Sequence, residues 1–196
     1  MTDTASIVAR WQDWQGQGLE HCTCRRDGQG LTLEGVVIGP RDALCAATYS
    51  VRTDAAFRTR EVRVRYIDGD LLHVVADGVG TWRNVIDDVP LPNLAGCIDV
   101  DLGLTPATNT LPITRLDLNS GQSVGIRAAY VRALDEIGGR LTIQPADQRY
   151  TCLEPGRRYR YDGVASGFSA ELEFDAFGLV LDYPGVFRRV ALPDQP

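Results

Sequence analysis

The 196-residue chain contains no lysine, since all 20 of its basic residues are arginine. That absence removes Schiff-base and lysine general-base chemistry. It also makes every cation a planar fork suited to bidentate pairing. Histidine is almost as scarce: His21 and His73 stand in strand-like contexts without a neighbouring nucleophile. Catalysis would need a pair assembled in space, such as Cys97 with His73. No apolar run approaches the ~18 residues of a spanning helix, and Met1 to Arg10 offers no apolar core of a secretion signal. Cys22, Cys24, Cys45, Cys97 and Cys152 are odd in number and lack a disulfide-framework spacing. Cys22 and Cys24 share a strand face but have no second pair to complete a metal site. Reduced thiols and the N-terminus together predict a cytoplasmic protein, and the missing motifs predict no metal and no cofactor. A basic footprint is missing too, because a net charge of -6 and a pI near 4.9 argue against a nucleic-acid partner. Gly78-Val79-Gly80 lacks the third glycine and the following helix of a dinucleotide fingerprint.

What is present is alternation punctuated by turns. Asp27-Gly28-Gln29-Gly30, Asp68-Gly69, Asp77-Gly78, Asn119-Ser120-Gly121 and Asp162-Gly163 recur along the chain, and Asp-Gly between alternating runs signals a hairpin. From Phe168 to Phe174 the residues Phe168, Ala170, Leu172 and Phe174 face inward, and Leu179 to Tyr183 is expected to pair back. Val124 to Ile137 carries both periods; the strand reading runs to about Arg132, with any helical turn confined to Leu134–Ile137. Trp11 and Trp14, three apart, are read as one helical turn or an irregular lead-in that plugs an end of the core. These patterns predict an all-β chain: residues 1–196 form one domain, an antiparallel meander closing into a partly open β-barrel with little helix.

Two stretches carry the polar candidates. Gly96 to Ile113 begins as a strand in which Asp99 and Asp101 oppose Ile98, Val100 and Leu102. It then meets Pro106, the short polar residues Thr108, Asn109 and Thr110, and Pro112, a stiff corner after which a new strand is expected at Leu111. Along Phe57 to Tyr66, strict alternation puts Arg58 and Arg60 on the face of Val62 and Val64. Buried arginines need carboxylates, and Asp99 and Asp101 are the natural partners. The pattern reads three ways: a buried ion-pair network, a slip or β-bulge that turns both arginines to solvent, or the polar floor of a ligand cavity.

The stretches Cys97–Leu102 and Thr105–Ile113, with Asp54–Arg60 before them and Asp182–Arg189 near the C-terminus, resemble the signature of the putative glycolipid-binding family of bacterial proteins. The resemblance spans nearly the whole chain. It implies a mostly-β, incompletely closed barrel similar to the periplasmic carriers and receptors of bacterial lipoproteins, and it brings no catalytic residues with it.

The expected function is therefore binding of an amphipathic ligand, a glycolipid or related lipid, in a barrel cavity, with a role in glycolipid metabolism or transport. The candidate ligand-binding residues are Arg58, Arg60, Trp82, Asp99, Asp101, Thr108, Asn109, Tyr161, Tyr183 and Arg188. Interleaved arginine and tyrosine from Arg149 to Tyr161 suit stacking on sugars, or plain exposed sheet. Asp99 and Asp101 suit acid–base work poorly, since ion pairing would lower their pKa values. The rival functions are a hydrolase of lipid or sugar esters and a non-catalytic interaction module.

Overall fold

A computed structural model describes residues 4–39, 46–67, 69–132 and 141–191. The first half of the chain builds strands β1 (Ala5–Asp13), β2 (Leu19–Asp27), β3 (Gly30–Ile38), β4 (Ala46–Thr53), β5 (Thr59–Tyr66), β6 (Leu71–Ala76), β7 (Trp82–Asn84) and β8 (Val89–Pro90). The second half supplies β9 (Asp99–Leu102), the helix α1 (Thr110–Leu116), β10 (Ser123–Val131), β11 (Ile143–Glu154), β12 (Arg158–Gly163), β13 (Phe168–Glu173), β14 (Asp182–Tyr183) and β15 (Phe187–Arg189). Ten strands form one antiparallel sheet in the order β14-β15-β1-β2-β3-β4-β5-β6-β7-β8, and five form another, β13-β12-β11-β10-β9. In the smaller sheet β9 runs parallel to β10, an exception to the antiparallel meander. Neither sheet closes on itself, and the fold is an all-β, partly open barrel.

Alternation builds the inner face of the large sheet. Trp11, Cys22, Leu33, Val51, Val64 and Val74 all lie in its core, the period-2 consequence of a pleated strand. Trp11 and Trp14 are not a helical turn: Trp11 is a fully buried member of β1, and Trp14 lies just beyond its end. Gly35 on β3 pairs with Tyr49 on β4, and a Cβ there would lie 2.3 Å from the Tyr49 ring. The absent side chain lets Tyr49 cross β3 and hydrogen-bond Glu20 on β2 at 2.6 Å.

Two expectations fail for local reasons. Strict alternation along β5 is broken by a bulge: Arg52 pairs with Glu61 and Thr53 with Thr59, leaving Arg60 as the extra residue. Thr59 and Val62 both turn inward, and Arg60 turns out to solvent. The chain does not start a strand at Leu111 either. Ala107–Asn109 form a 3-10 turn that runs directly into α1. Pro112 is its third residue, where a backbone N–H would have no helical acceptor, so the helix tolerates it. β10 ends at Val131, close to the expected Arg132. The turn expected at Leu134–Ile137 lies outside the described residues, as do Cys45 and Asp68.

α1 covers part of one face of the smaller sheet. Ile113 packs there with Tyr150, Cys152, Tyr159, Leu172 and Phe174 in a second core. The opposite face of β9 and β10, through Val100, Leu102, Ala129 and Val131, belongs to the main core. β9 is thus covered on both faces, which is why Asp99 is as buried as Val100.

Candidate ligand-binding site

A cavity of about 520 Å³ lies along the α1-facing side of the smaller sheet, between it and β14–β15. Register explains the space. Asp101, Tyr130 and Gln144 form one row across β9, β10 and β11, and Gln148 pairs with Gly163 on β12. All point to the same face. Ala146 and Gly163 also line the cavity, and their small size leaves room between the larger side chains.

The inner end is polar. Gln148 Nε2 donates to Asp101 Oδ2 at 2.6 Å, and the Thr108 hydroxyl donates to Asp101 Oδ1 at 3.4 Å. Thr108 also accepts from the Leu102 N–H at 3.1 Å, fixing the corner after β9. Asn109 accepts from the Tyr150 hydroxyl at 2.8 Å and donates to the Pro106 carbonyl at 3.1 Å. Burial, reinforced by the nearby Asp101 charge, pushes the Tyr150 and Tyr161 hydroxyls up, so both remain protonated donors at neutral pH. Thr105 lines the cavity too, and its hydroxyl donates to Glu20 Oε1 at 2.6 Å.

The outer wall is aromatic. Tyr161, Phe168, Tyr183 and Phe187 form a chain of ring contacts, with centroid separations of 6.2 Å for Tyr161–Tyr183, 5.9 Å for Phe168–Tyr183 and 6.5 Å for Tyr183–Phe187. Phe187 is buried, whereas Phe168 is 39% exposed, so the chain runs from the interior to the surface. Tyr130, Arg132 and Gln144 form another part of the lining.

Among the sequence-derived candidates, the cavity brings together Asp101, Asn109, Tyr161 and Tyr183, with Thr108 behind Asp101. The others lie elsewhere. Arg58 and Arg60 do not meet Asp99 and Asp101. Arg58 pairs with Asp54 at 2.8 Å, and Arg60 donates to the Ala76 carbonyl at 2.9 Å. Phe57 adopts a positive φ of 59°, ending the regular strand before Arg58, and the bulge then turns Arg60 outward. Asp99 is held instead by Arg115 of α1, through Nε at 2.9 Å and Nη2 at 2.5 Å. Burial raises the Asp99 pKa more than Arg115 lowers it, the reverse of the lowering expected from ion pairing, and the two hydrogen bonds tie α1 to β9. Trp82 sits in the main core, its Nε1 donating to the Cys97 carbonyl at 2.8 Å. Arg188 stacks on Trp14 at 3.9 Å and does not line the cavity.

Gln148, Tyr130, Arg132 and Gln144 were not singled out by sequence. Only the inward parity of β10 and β11 marks them, and that becomes readable once register is known. The spatial pair of Cys97 and His73 is not assembled, because Cys97 is buried in the core while His73 bonds Glu61 at 2.9 Å. Among the described residues, no group of three or more His, Cys, Asp or Glu is placed to hold a metal ion.

Fold and cavity define the class, an open all-β barrel with a ligand-sized cavity on the smaller sheet. The chain belongs to the putative glycolipid-binding family, whose pattern matches residues 8–189. A solved DUF1089 family protein from Pseudomonas aeruginosa is similar at 31% identity over 97% of this chain and 94% of its own, with a TM-score of 0.72. None of the curated proteins compared matches the chain. No helix among the described residues is long and apolar enough to cross a membrane.

Proposed function

We propose that the protein binds an amphipathic ligand, a glycolipid or closely related lipid, in the cavity between the smaller sheet and β14–β15. Residues 1–196 act as one domain, in glycolipid metabolism or transport. The observation that carries this reading is the pairing of a polar inner end, at Asp101, Asn109 and Gln148, with an aromatic wall running outward through Tyr183 to Phe168. Binding cavities that enclose one small ligand run to ~300–1,000 Å³, apolar with a few placed polar groups, and about 520 Å³ falls inside that range. Sugar rings offer hydroxyls to carboxylate and amide groups and a carbon face to aromatic rings. Buried free thiols at Cys22, Cys24, Cys97 and Cys152 favour a reducing compartment, the cytoplasm.

The test is native mass spectrometry of the purified protein, followed by mass spectrometry of organic extracts. A stoichiometric glycolipid or lipid in the extract is the expected result. Protein that comes out empty, and that binds neither alkyl glycosides nor fatty acids below ~100 μM, would remove the reading.

A further inference from the structure

We infer that the ligand enters head first: its polyhydroxylic head group lies against Asp101, Gln148 and Asn109, and its hydrocarbon tail leaves the cavity past Tyr183 and Phe168. This orientation rests on the amphipathic-ligand reading above and adds to it. A buried acyl chain beneath a solvent-facing head is the usual picture of a lipid carrier, and the cavity is graded the opposite way.

The gradient follows from burial. Thr105, Asn109 and Gln148 are among the most buried lining residues, at 3%, 5% and 3% exposure, and Asp101 is hydrogen-bonded to Gln148. Methylenes pressed against that group would strip water from a carboxylate and two amides and return no hydrogen bond, which is costly for a charged acceptor. Hydroxyl groups would replace the water, since each can donate to Asp101 and accept from the Gln148 amide. Phe187, buried and lining the cavity, suits the carbon face of a ring. Towards the surface the aromatic chain ends on Phe168, with Val164 exposed four residues before it. A tail leaving by this route meets the rings of Tyr183 and Phe168 and then the exposed Val164 side chain.

The two orientations differ in how affinity depends on tail length. A tail buried in the protein gains ~0.8 kcal/mol per methylene, about fourfold in Kd for each carbon added. A tail that leaves the cavity gains little after the first few carbons. Calorimetric titration with octyl, decyl and dodecyl glucoside, each below its micelle concentration, reads this increment on the unmodified protein. Head-first binding expects less than about 1.5-fold per methylene. It also expects a fatty acid of matched length to bind at least ~10-fold more weakly, and Gln148→Ala to weaken all three glucosides by one common factor near ~10-fold, the weight of a hydrogen bond to a charged partner. An increment near fourfold overturns the orientation and leaves the amphipathic reading standing. Equal binding of the fatty acid overturns the head assignment in the same way. Failure of every glucoside and fatty acid to bind below ~100 μM removes both.

Discussion

Gln148 donates to Asp101 across β10, which runs between their strands. Register places Gln148 beside Ile126 and Asp101 beside Tyr130, an offset of two strands and four residues. On a flat sheet the two Cα atoms would be ~16 Å apart, too far for the 2.6 Å contact. The smaller sheet is therefore strongly coiled, and its concave side is the cavity. This contact joins the shape of the site to its chemistry.

Asp101→Asn tests the chemical half. The substitution preserves size and an acceptor for Thr108 but removes the charge. Hydrogen bonds to charged groups contribute ~1.5–3 kcal/mol, so octyl glucoside affinity should fall ~10- to 100-fold. The thermal midpoint should move by only a few degrees. Unchanged affinity, measured by calorimetry, would place the head group elsewhere.

Asp99 and Arg115 should behave as structure rather than site. Asp99 is 1% exposed, so Arg115→Ala strands a buried carboxylate and should cost ~3–5 kcal/mol in urea unfolding. Arg60→Ala, on a half-exposed guanidinium 3.7 Å from Asp54, should cost no more than ~1 kcal/mol. Similar costs for the two variants would contradict the assignment of Asp99 to the helix clamp.

Much of this architecture can be read from residue order. The Asp27–Gly30 turn joins β2 to β3, the alternation at Phe168–Phe174 gives β13, and the polar corner at Thr108–Asn109 does reach the cavity. Parity misled where a bulge intervened, because an extra residue such as Arg60 has no distinctive side-chain type. Proline misled where it fell in the first turn of a helix, as Pro112 does. Arg115, which holds Asp99, and Gln148, which donates to Asp101, lie 16 and 47 residues from those carboxylates. They are set by how α1 folds back and how β11 registers, neither of which is written locally. The cavity itself depends on Ala146 and Gly163 meeting on one coiled face, a property of pairing rather than of either segment.

Gly35→Ala should be among the most damaging single-methyl additions. The new Cβ would collide with the Tyr49 ring and hydroxyl at 2.3–2.6 Å, and the ring cannot move without releasing Glu20. Overpacking alone costs ~1–3 kcal/mol, and the lost hydrogen bond to a buried carboxylate adds to it. A drop of ~3 kcal/mol or more in denaturant unfolding is expected. If Gly35→Ala is tolerated within ~1 kcal/mol, Tyr49 does not occupy that space.

Glu20 gives the fold a distinct pH dependence. Its side chain is fully buried, and desolvation pushes its pKa from the usual 4.5 to about 7, against lowering contributions from the Thr105 and Tyr49 hydroxyls and the Arg189 charge. Oε1 takes both hydroxyl donors, whereas Oε2 and the nearby Asp13 Oδ2 have no partner among the described residues. Asp13 and Glu20 line the same small void of about 10 Å³ with Trp11 and Phe187. Because the folded pKa lies above the unfolded one, the folded state holds the proton more tightly. The resulting stability is complete below pH 4.5, declines as pH rises, and is gone above about pH 7. The separation of the two pKa values corresponds to ~3 kcal/mol. Glu20→Gln keeps an acceptor for Tyr49 and Thr105, places an amide donor towards Asp13, and cannot titrate. Urea unfolding of both proteins from pH 4.5 to pH 8 should therefore show the variant gaining on the wild type by ~3 kcal/mol across that window. Parallel curves would mean that Glu20 titrates as an ordinary carboxylate and that its burial is compensated by a partner outside this network.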